Sequence, residues 1–324
     1  MADLSINRWR FIGGIRIESD SQFVETRDPF EDEDNPKRVS SDLRHIDTLG
    51  SIGAIYRLNL KMKLRGSLSR TLNRPQCREL AAREFTDVVG GRSVLGHPFL
   101  ERAVIRNFDV RWEWFVGPTE LVSASFFSKK FTQPIERFIQ PTSQLRTSFL
   151  NADSARNTGI EVDLRKNLGF LSSNLDLFNV YANYTFVDSE VQIPREQLNI
   201  LTSLVRPLAG HSAHVFNGIF EFDHLPSRSL FRVLLNFQGA RITDVGALGL
   251  PDIYQAGYLR LDANYIQKLG NRWGLKFSAL NLLDRPHEYT QGGELQRAYK
   301  MGRSISIGIS YNFYGEGWTG RAQP

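Results

Sequence analysis

The alternation of apolar and polar positions is clearest near the end of the chain. Over residues 304–313, Ile, Tyr and Phe side chains alternate strictly with Ser, Gly and Asn. A period of two puts the apolar residues on one face of a strand and the small polar residues on the other. This combination of faces is typical of a strand with lipid on one side and a polar lumen on the other.

The same alternation recurs in eleven earlier segments, and none of them has the helical period of 3.6. The sequence therefore predicts about twelve strands. They lie near residues 5–19, 47–58, 61–69, 107–114, 120–131, 160–165, 178–186, 216–222, 231–238, 259–265, 272–279 and 304–313.

The connections between these segments alternate in length. Those near residues 59, 117, 169, 225 and 270 are short, and those near 33, 88, 143, 198, 248 and 292 are long. Short turns on one side and long loops on the other are typical of outer-membrane β-barrels. The prediction is an all-β fold, an antiparallel up-and-down transmembrane β-barrel over residues 1–313, followed by a C-terminal extension over residues 314–324.

Aromatic residues at the short-turn ends of the strands share the apolar parity. They are Trp9, Tyr56, Trp114, Phe222, Phe231, Trp273 and Phe313. Amphipathic aromatic rings favour the headgroup level of a bilayer, so we predict that these seven form a periplasmic belt. The alternative is that they are core aromatics of a soluble β-sandwich.

Arginines recur on the opposite, lumen-facing parity. They are Arg65, Arg111, Arg165, Arg232 and Arg260. One interpretation is a cationic wall that contacts an anionic ligand or the carboxylates of a plug. The other is a ladder of cross-strand ion pairs with Glu113, Glu161, Asp163 and Asp262.

Composition adds mainly exclusions. The net charge of +5 is spread along the chain, which is not the basic face of a nucleic-acid-binding protein. The single cysteine, Cys77, excludes an internal disulfide and a cysteine-based zinc cage. No run of 18 apolar residues predicts a transmembrane helix.

Motifs for catalysis and cofactors are also missing. The sequence Gly-Gly-Arg-Ser at 90–93 lacks the lysine of a phosphate-binding loop, and no nucleophile elbow occurs. His211 and His214 have no third metal ligand nearby in sequence, and the acidic loop at 28–34 lacks the spacing of a calcium loop. We therefore expect no catalytic residue, metal or cofactor, and no enzymatic activity.

Six short motifs, in order along the chain, resemble one known family. They lie at residues 64–71 with 74–75 and 79–80, 96–101, 124–131 with 134–136, 151–152 with 159–161, 280–284 and 311–313. With them the chain resembles the C-terminal part of the β-barrel of a TonB-dependent outer-membrane receptor. It departs from the family pattern at His97, where the family has an asparagine, and at Glu101, which lies nearer to the start of the motif than the glutamate of the family pattern.

The resemblance implies several expectations. Barrels of this family have roughly 22 strands around a plug. The start of this chain has no signal-peptide pattern and its predicted strands are about half that number, so we expect a partial, open barrel without the plug. Its function would be part of an outer-membrane receptor for a large nutrient, a metal chelate or an oligosaccharide, inactive alone. Its partners would be outer-membrane lipid, the barrel-assembly machinery that reads residues 311–313, and, in a full-length receptor, the plug and TonB.

Two other classes remain open at this point. One is a self-contained small barrel of twelve strands, a porin or an outer-membrane enzyme, and the other is a soluble all-β protein. A closed barrel would require the first and last predicted strands to pair with each other. For a partial barrel we predict no hydrogen bonds between residues 6–16 and 304–312.

Overall fold

A computed structural model describes residues 1–27, 38–86, 93–140, 146–197 and 200–313. The acidic loop at 28–34, residues 90–92 of the Gly-Gly-Arg-Ser sequence and the predicted extension 314–324 lie outside the described residues.

Strands make up most of the described chain. They are β1 (Ala2–Ile6), β2 (Trp9–Arg27), β3 (Arg38–Arg57), β4 (Met62–Asn73), β5 (Glu84–Thr86), β6 (Ser93–Leu95), β7 (Ala103–Phe115), β8 (Leu121–Thr132), β9 (Ile135–Ile139), β10 (Thr147–Asn151), β11 (Ser154–Asn167), β12 (Phe178–Gln192), β13 (Val205–Arg206), β14 (His214–His224), β15 (Ser229–Gln238), β16 (Arg241–Asp244), β17 (Ile253–Gln255), β18 (Tyr258–Leu269), β19 (Trp273–Leu280), β20 (His287–Gln291), β21 (Glu294–Tyr299) and β22 (Ser304–Tyr311). One α-helical turn, α1 (Cys77–Leu80), and 3-10 turns at Leu168–Phe170, Ser173–Leu175 and Arg195–Gln197 complete the secondary structure.

One antiparallel sheet organises the molecule. Its strand order is β1-β2-β3-β4-β7-β8-β11-β12-β14-β15-β18-β19-β22, and β13 adds a short pairing to β12. Neighbouring strands follow one another along the chain, which is the up-and-down topology predicted from the sequence. The all-β prediction is therefore confirmed. Eleven of the twelve predicted segments each correspond to one long strand of this sheet, and the first, 5–19, begins in β1 and continues in β2.

The first predicted strand was wrong at its start. Residues 5–19 are not one strand, because β1 pairs with the beginning of β2 across a two-residue turn at Asn7 and Arg8. Asn7 adopts a φ of 53°, a left-handed conformation that asparagine tolerates better than most residues. The turn switches the apolar parity from Leu4 and Ile6 to Trp9, and that switch was its signal in the sequence.

The two edges of the main sheet do not meet. Within the described residues, β22 pairs only with β19, and β2 pairs only with β1 and β3. The prediction that residues 6–16 and 304–312 share no hydrogen bonds is confirmed. The chain is therefore a partial, open barrel, and the closed twelve-strand alternative is not what the structure contains.

The strand register keeps the two faces apart across the sheet. Met62 is opposite Trp114, which is opposite Val122, so apolar residues meet apolar residues from strand to strand. The sequence left the parity of Phe126 and Phe127 ambiguous. Phe126 lies on the apolar face opposite Val110.

Phe127 lies on the other face, over Gly159. A Cβ atom at Gly159 would come within 2.7 Å of the Phe127 ring and 2.3 Å of the Phe186 carbonyl oxygen. Only glycine fits at this position of β11, which lies between β8 and β12.

The long connections carry structure of their own. They form two smaller four-stranded sheets, β5-β6-β10-β9 and β16-β17-β20-β21. We call these the first and the second loop sheet. The buried apolar clusters lie at this end of the molecule, one around Leu80, Val94, Leu100 and Phe149, and the other around Leu150, Val191, Ile193 and Leu201.

No helix among the described residues is long and apolar enough to cross a bilayer.

Candidate functional site

Four of the five arginines on the lumen-facing parity are ion-paired. Arg65 Nε lies 2.8 Å from Glu113 Oε2, and Arg111 bridges Glu113 at 3.2 Å and Asp163 at 2.8 Å. Arg232 pairs with Glu221, and Arg260 Nε lies 2.9 Å from Asp262 Oδ1. These four form a ladder of paired charges rather than an unpaired cationic wall.

Arg165 is the exception in this set. It is exposed, lies opposite Tyr181 in the register, and has no ion pair with any residue that the structure describes. Its predicted role in contacting a ligand or a plug stays a prediction, as does that of the four paired arginines.

Polar side chains extend the ladder into a network. Asp163 accepts hydrogen bonds from Ser123 Oγ at 3.0 Å and from Asn183 Nδ2 at 2.6 Å. Asn183 also donates to Glu161 Oε1 at 2.8 Å. Together with the ion pairs of the ladder, these bonds connect five adjacent strands, β4, β7, β8, β11 and β12, so the wall on this face is fixed by mutual contacts.

The predicted belt residues lie at the short-turn ends of their strands. Trp9 is directly opposite Tyr56 with ring centroids 4.5 Å apart, and Phe222 is directly opposite Phe231. Trp114 lies one residue from the end of β7, with its ring 6.4 Å from that of Trp112.

The last two belt residues lie near the final strand. The Trp273 ring packs 4.8 Å from that of Tyr311, the last residue of β22. Phe313 lies two residues beyond that strand, with its ring 5.0 Å from Tyr311. The prediction placed Phe313 inside the strand, and the observed end at Tyr311 corrects it. That the belt faces the periplasm stays a prediction.

No pattern in the sequence indicated the cavity that lies between the two loop sheets. It has a volume of about 800 Å³, within the range of ligand pockets. The first loop sheet contributes residues of β9 and β10, and the second contributes residues of β16, β17, β20 and β21. The residues used below are Glu79, Glu136, Arg137, Arg241, Asp244, Gln255, Tyr289 and Arg297.

The charged lining of this cavity carries an excess of arginine. Arg137, Arg241 and Arg297 have no ion pair with any of the described residues. Glu136 is neutralised by Arg206, so that three guanidinium groups face two carboxylates, Glu79 and Asp244. Arg241 Nε donates to Gln255 Oε1 at 2.9 Å, which orients its guanidinium.

A row of stacked rings reaches the same cavity at Tyr289, which stacks on Tyr299 with ring centroids 6.1 Å apart. Tyr258 and His287 stack with centroids 4.0 Å apart, and His287 stacks on Tyr299 at 5.2 Å. The hydroxyl groups of Tyr289 and Tyr299 lie 3.3 Å apart, and the Arg297 guanidinium lies 4.1 Å from the Tyr289 ring centroid. Burial lowers the pKa of His287, and the positive charge of Arg241 lowers it further, which favours the neutral ring.

A buried ion pair holds the loops around the cavity. Arg206 Nη2 lies 2.8 Å from Glu136 Oε2, and both side chains are almost fully buried. Arg206 also donates to the backbone carbonyl oxygens of Pro207 and Arg137. Burial raises the pKa of the Glu136 carboxyl, and Arg206 opposes that rise only in part.

The histidines singled out in the sequence do not assemble a metal site. His214 Nδ1 lies 2.8 Å from the Tyr184 hydroxyl, and its ring stacks near Phe186. His211 is half-buried, which lowers its pKa. Among the residues that the structure describes, no group of three His, Cys, Asp or Glu side chains is placed to hold a metal ion.

Comparisons with known proteins agree on one family. The family model described as TonB dependent receptor-like, beta-barrel, matches residues 1–282. No curated protein sequence is similar enough to this chain to count as a match.

Solved structures match over most of this chain. The ferric-catecholate import receptor Fiu from E. coli K12 is 14% identical, with a TM-score of 0.66 over 96% of this chain and 43% of that one. The ferric yersiniabactin uptake receptor FyuA from Yersinia pestis is 15% identical, with a TM-score of 0.62 over 94% and 43%. The siderophore receptor PiuA from Acinetobacter baumannii is 13% identical, with a TM-score of 0.66 over 94% and 41%.

This chain spans less than half the length of each of these receptors. At such low identity they are similar to it in fold alone. The family model, however, covers residues 1–282, which is most of the sequence. The chain therefore belongs to the family of TonB-dependent receptor β-barrels.

Proposed function

We propose that this chain is part of an outer-membrane receptor that takes up a large nutrient, and that the cavity between the loop sheets contacts this nutrient first. The short turns then lie on the periplasmic side and the loop sheets outside the cell. Membership of the family supports this proposal, since full-length members work with a plug and with TonB. We also propose that the chain acts as a transport protein rather than an enzyme.

Between the two nutrient classes, the lining of the cavity favours a metal chelate. Three arginines without ion pairs and the ring of Tyr289 suit a planar, anionic ligand, because guanidinium groups bind carboxylate and catecholate oxygens through paired hydrogen bonds. A neutral oligosaccharide gains nothing from an excess of positive charge. The excess of arginines over free carboxylates is the observation that carries this choice.

Transport by this chain alone is not expected. An open sheet exposes unpaired backbone groups at both edges, and each such group in lipid costs several kcal/mol. A barrel without a plug also has no gate between ligand binding and passage. The proposal is that this chain binds the nutrient as part of a larger assembly.

The test is ligand binding by the full chain in detergent micelles. The probes are ferric tris-catecholate and a neutral maltooligosaccharide, followed by tryptophan fluorescence. The double substitution R241Q/R297Q should weaken chelate binding by roughly tenfold or more, because each of the two changes removes a hydrogen bond from a charged guanidinium group to the ligand. R285Q is the matched control, because Arg285 is exposed and lies outside the cavity.

Chelate binding that is unchanged in R241Q/R297Q would remove this cavity as the site. Tighter binding of the maltooligosaccharide than of the chelate would favour the oligosaccharide alternative.

A further inference from the structure

Four basic residues stand side by side on the apolar face of the main sheet. Arg70 of β4 is directly opposite Arg106 of β7, Arg106 is opposite Lys130 of β8, and Lys130 is opposite Arg156 of β11. All four are exposed. Their parity is that of Phe108, the lipid-facing residue nearest to Arg106. We call them the basic row.

This arrangement costs energy in the chain alone. Neighbouring strands are about 4.8 Å apart, so the row holds four positive charges within about 15 Å. Like charges directly opposite each other on a sheet are destabilising. Arg70, Arg106 and Lys130 have no hydrogen bond or ion pair with any described residue, and Arg156 lies 3.7 Å from Asp188, with both side chains exposed. Such a row is expected where an anion compensates it.

The row also lies at a defined level of the sheet. From Arg106 to Trp114, at the short-turn end of β7, the strand covers about 27 Å at 3.3–3.4 Å per residue. The nine residues from Arg106 to Trp114 match the about 9–11 residues that a tilted strand needs to cross the hydrocarbon core of a bilayer. Between the two ends, the residues on this face are Phe108, Val110 and Trp112. The basic row therefore marks the boundary of the apolar band on the loop side.

We propose that the basic row binds the headgroup of a membrane lipid that carries two or more phosphates. Its acyl chains would lie along the apolar face below the row, against Phe108, Phe126 and Ile160. Guanidinium groups pair with phosphate oxygens through two parallel hydrogen bonds, and more than one phosphate is needed to neutralise Arg70, Arg106 and Lys130, since Asp188 already lies near Arg156. A free phosphate would use the charges but leave the adjoining apolar surface without a role, so the row fits a lipid.

The experiment uses the full chain in nonionic detergent micelles. Diphosphorylated lipid A is the probe, fully dephosphorylated lipid A is its comparison, and native mass spectrometry counts the bound lipid. Each Lys or Arg near a phosphate contributes about fivefold to affinity. K130Q should therefore weaken binding about fivefold, and R70Q/R106Q/K130Q by on the order of 100-fold, with the salt dependence largely lost.

Lys129 supplies the matched control. It precedes Lys130 on the same strand but points to the opposite face, with its ammonium group 5.8 Å from the Phe127 ring centroid. K129Q should leave binding of diphosphorylated lipid A unchanged. The urea midpoint of the triple variant without lipid should equal or exceed that of the parent, because the substitutions remove repulsion. That result separates lost binding from lost folding.

Three results would overturn the proposal. The first is equal binding of diphosphorylated lipid A by the parent and a folded triple variant. The second is an equal loss in K129Q and K130Q. The third is dephosphorylated lipid A binding as tightly as the phosphorylated form, which would assign the retention of lipid to the apolar face alone.

Discussion

At the scale of single residues, the pair of Glu136 and Arg206 is the most deeply buried ion pair among the described residues. Removing two charges from water costs several kcal/mol per ion, and the pairing repays this only while both partners are present. The loss of one partner should therefore harm the loops more than the loss of both. The pair lies beside the cavity, so its integrity also fixes the position of Arg137.

R206M should lower the stability of the chain by about 3–5 kcal/mol near pH 8, because it leaves a buried carboxylate without a cation. The pKa of Glu136 is raised above its usual value of 4.5 in the folded chain. A carboxyl group whose pKa is higher in the folded than in the unfolded chain stabilises the folded state fully at pH values below the unfolded pKa. This stabilisation is lost as the pH rises through the folded pKa. The penalty in R206M should thus be smaller at pH 5 than at pH 8, measured as urea midpoints in micelles.

The double variant E136Q/R206M is the control for this prediction. It should be more stable than R206M at pH 8 and should lose the dependence on pH. A penalty in R206M that is the same at both pH values would contradict the account.

A second residue-scale prediction concerns the two faces of the main sheet. V110R puts a charge into the apolar face of β7 and should cost about 2–4 kcal/mol near the membrane midplane, which reduces insertion into lipid vesicles. D109R, its neighbour on the polar face, should be far milder. L235R and N236R repeat the comparison on β15. If both substitutions of a pair reduced insertion into vesicles equally, the assignment of the two faces to lipid and lumen would be wrong.

At the scale of elements, the hairpin of β2 and β3 is the longest, with strands of 19 and 20 residues. A membrane-spanning strand needs about 9–11 residues, so the distal half of this hairpin projects beyond the apolar band. Arg74 forms ion pairs with two residues of β2 in this hairpin, Glu18 at 2.8 Å and Asp20 at 3.2 Å. Val24 and Leu43 pack on the apolar cluster around Leu80. The hairpin therefore supports the first loop sheet.

This division into turns and loops predicts a one-sided pattern of proteolysis. Proteinase K added to intact cells that carry the chain in their outer membrane should cut within the connection 72–103, whose described residues lie on the loop side. The turn at residues 116–120, on the other side, should stay intact. The fragments can be identified by mass spectrometry. Cutting at 116–120 alone would reverse the proposed orientation.

At the scale of the whole molecule, the open sheet is the dominant feature. β22 has a neighbour on one side only, whereas central strands such as β11 have neighbours on both sides. An edge strand presents a row of unpaired backbone groups, which is a template for further pairing. Further strands of a larger barrel would satisfy these groups, and unpaired edges favour self-association.

Backbone exchange measures this directly. In a monomeric chain in micelles, alternate amides of β22 should exchange with deuterium at least 100-fold faster than those of β11, because they point away from β19. Amide-resolved exchange by NMR tests this expectation, with β11 as the internal control. Uniform protection along β22 would mean that its edge is covered, either by closure or by a second molecule.

What the sequence determined by itself is the part of the structure that depends on neighbours along the chain. A period of two identifies the strands, their faces and their short-turn ends, because consecutive residues of a strand face lipid and lumen in turn. The neighbours Asp109 and Val110 are an example, with a polar residue on one face and an apolar residue on the other. The tertiary structure decided which distant residues meet. Arg65 is paired because Glu113 lies on the next strand of the sheet, and the cavity joins Arg137 to Arg241 and Arg297, which follow it by 104 and 160 residues. It also decided that the sheet stays open, since closure depends on where β22 ends relative to β1, and no local pattern records that distance.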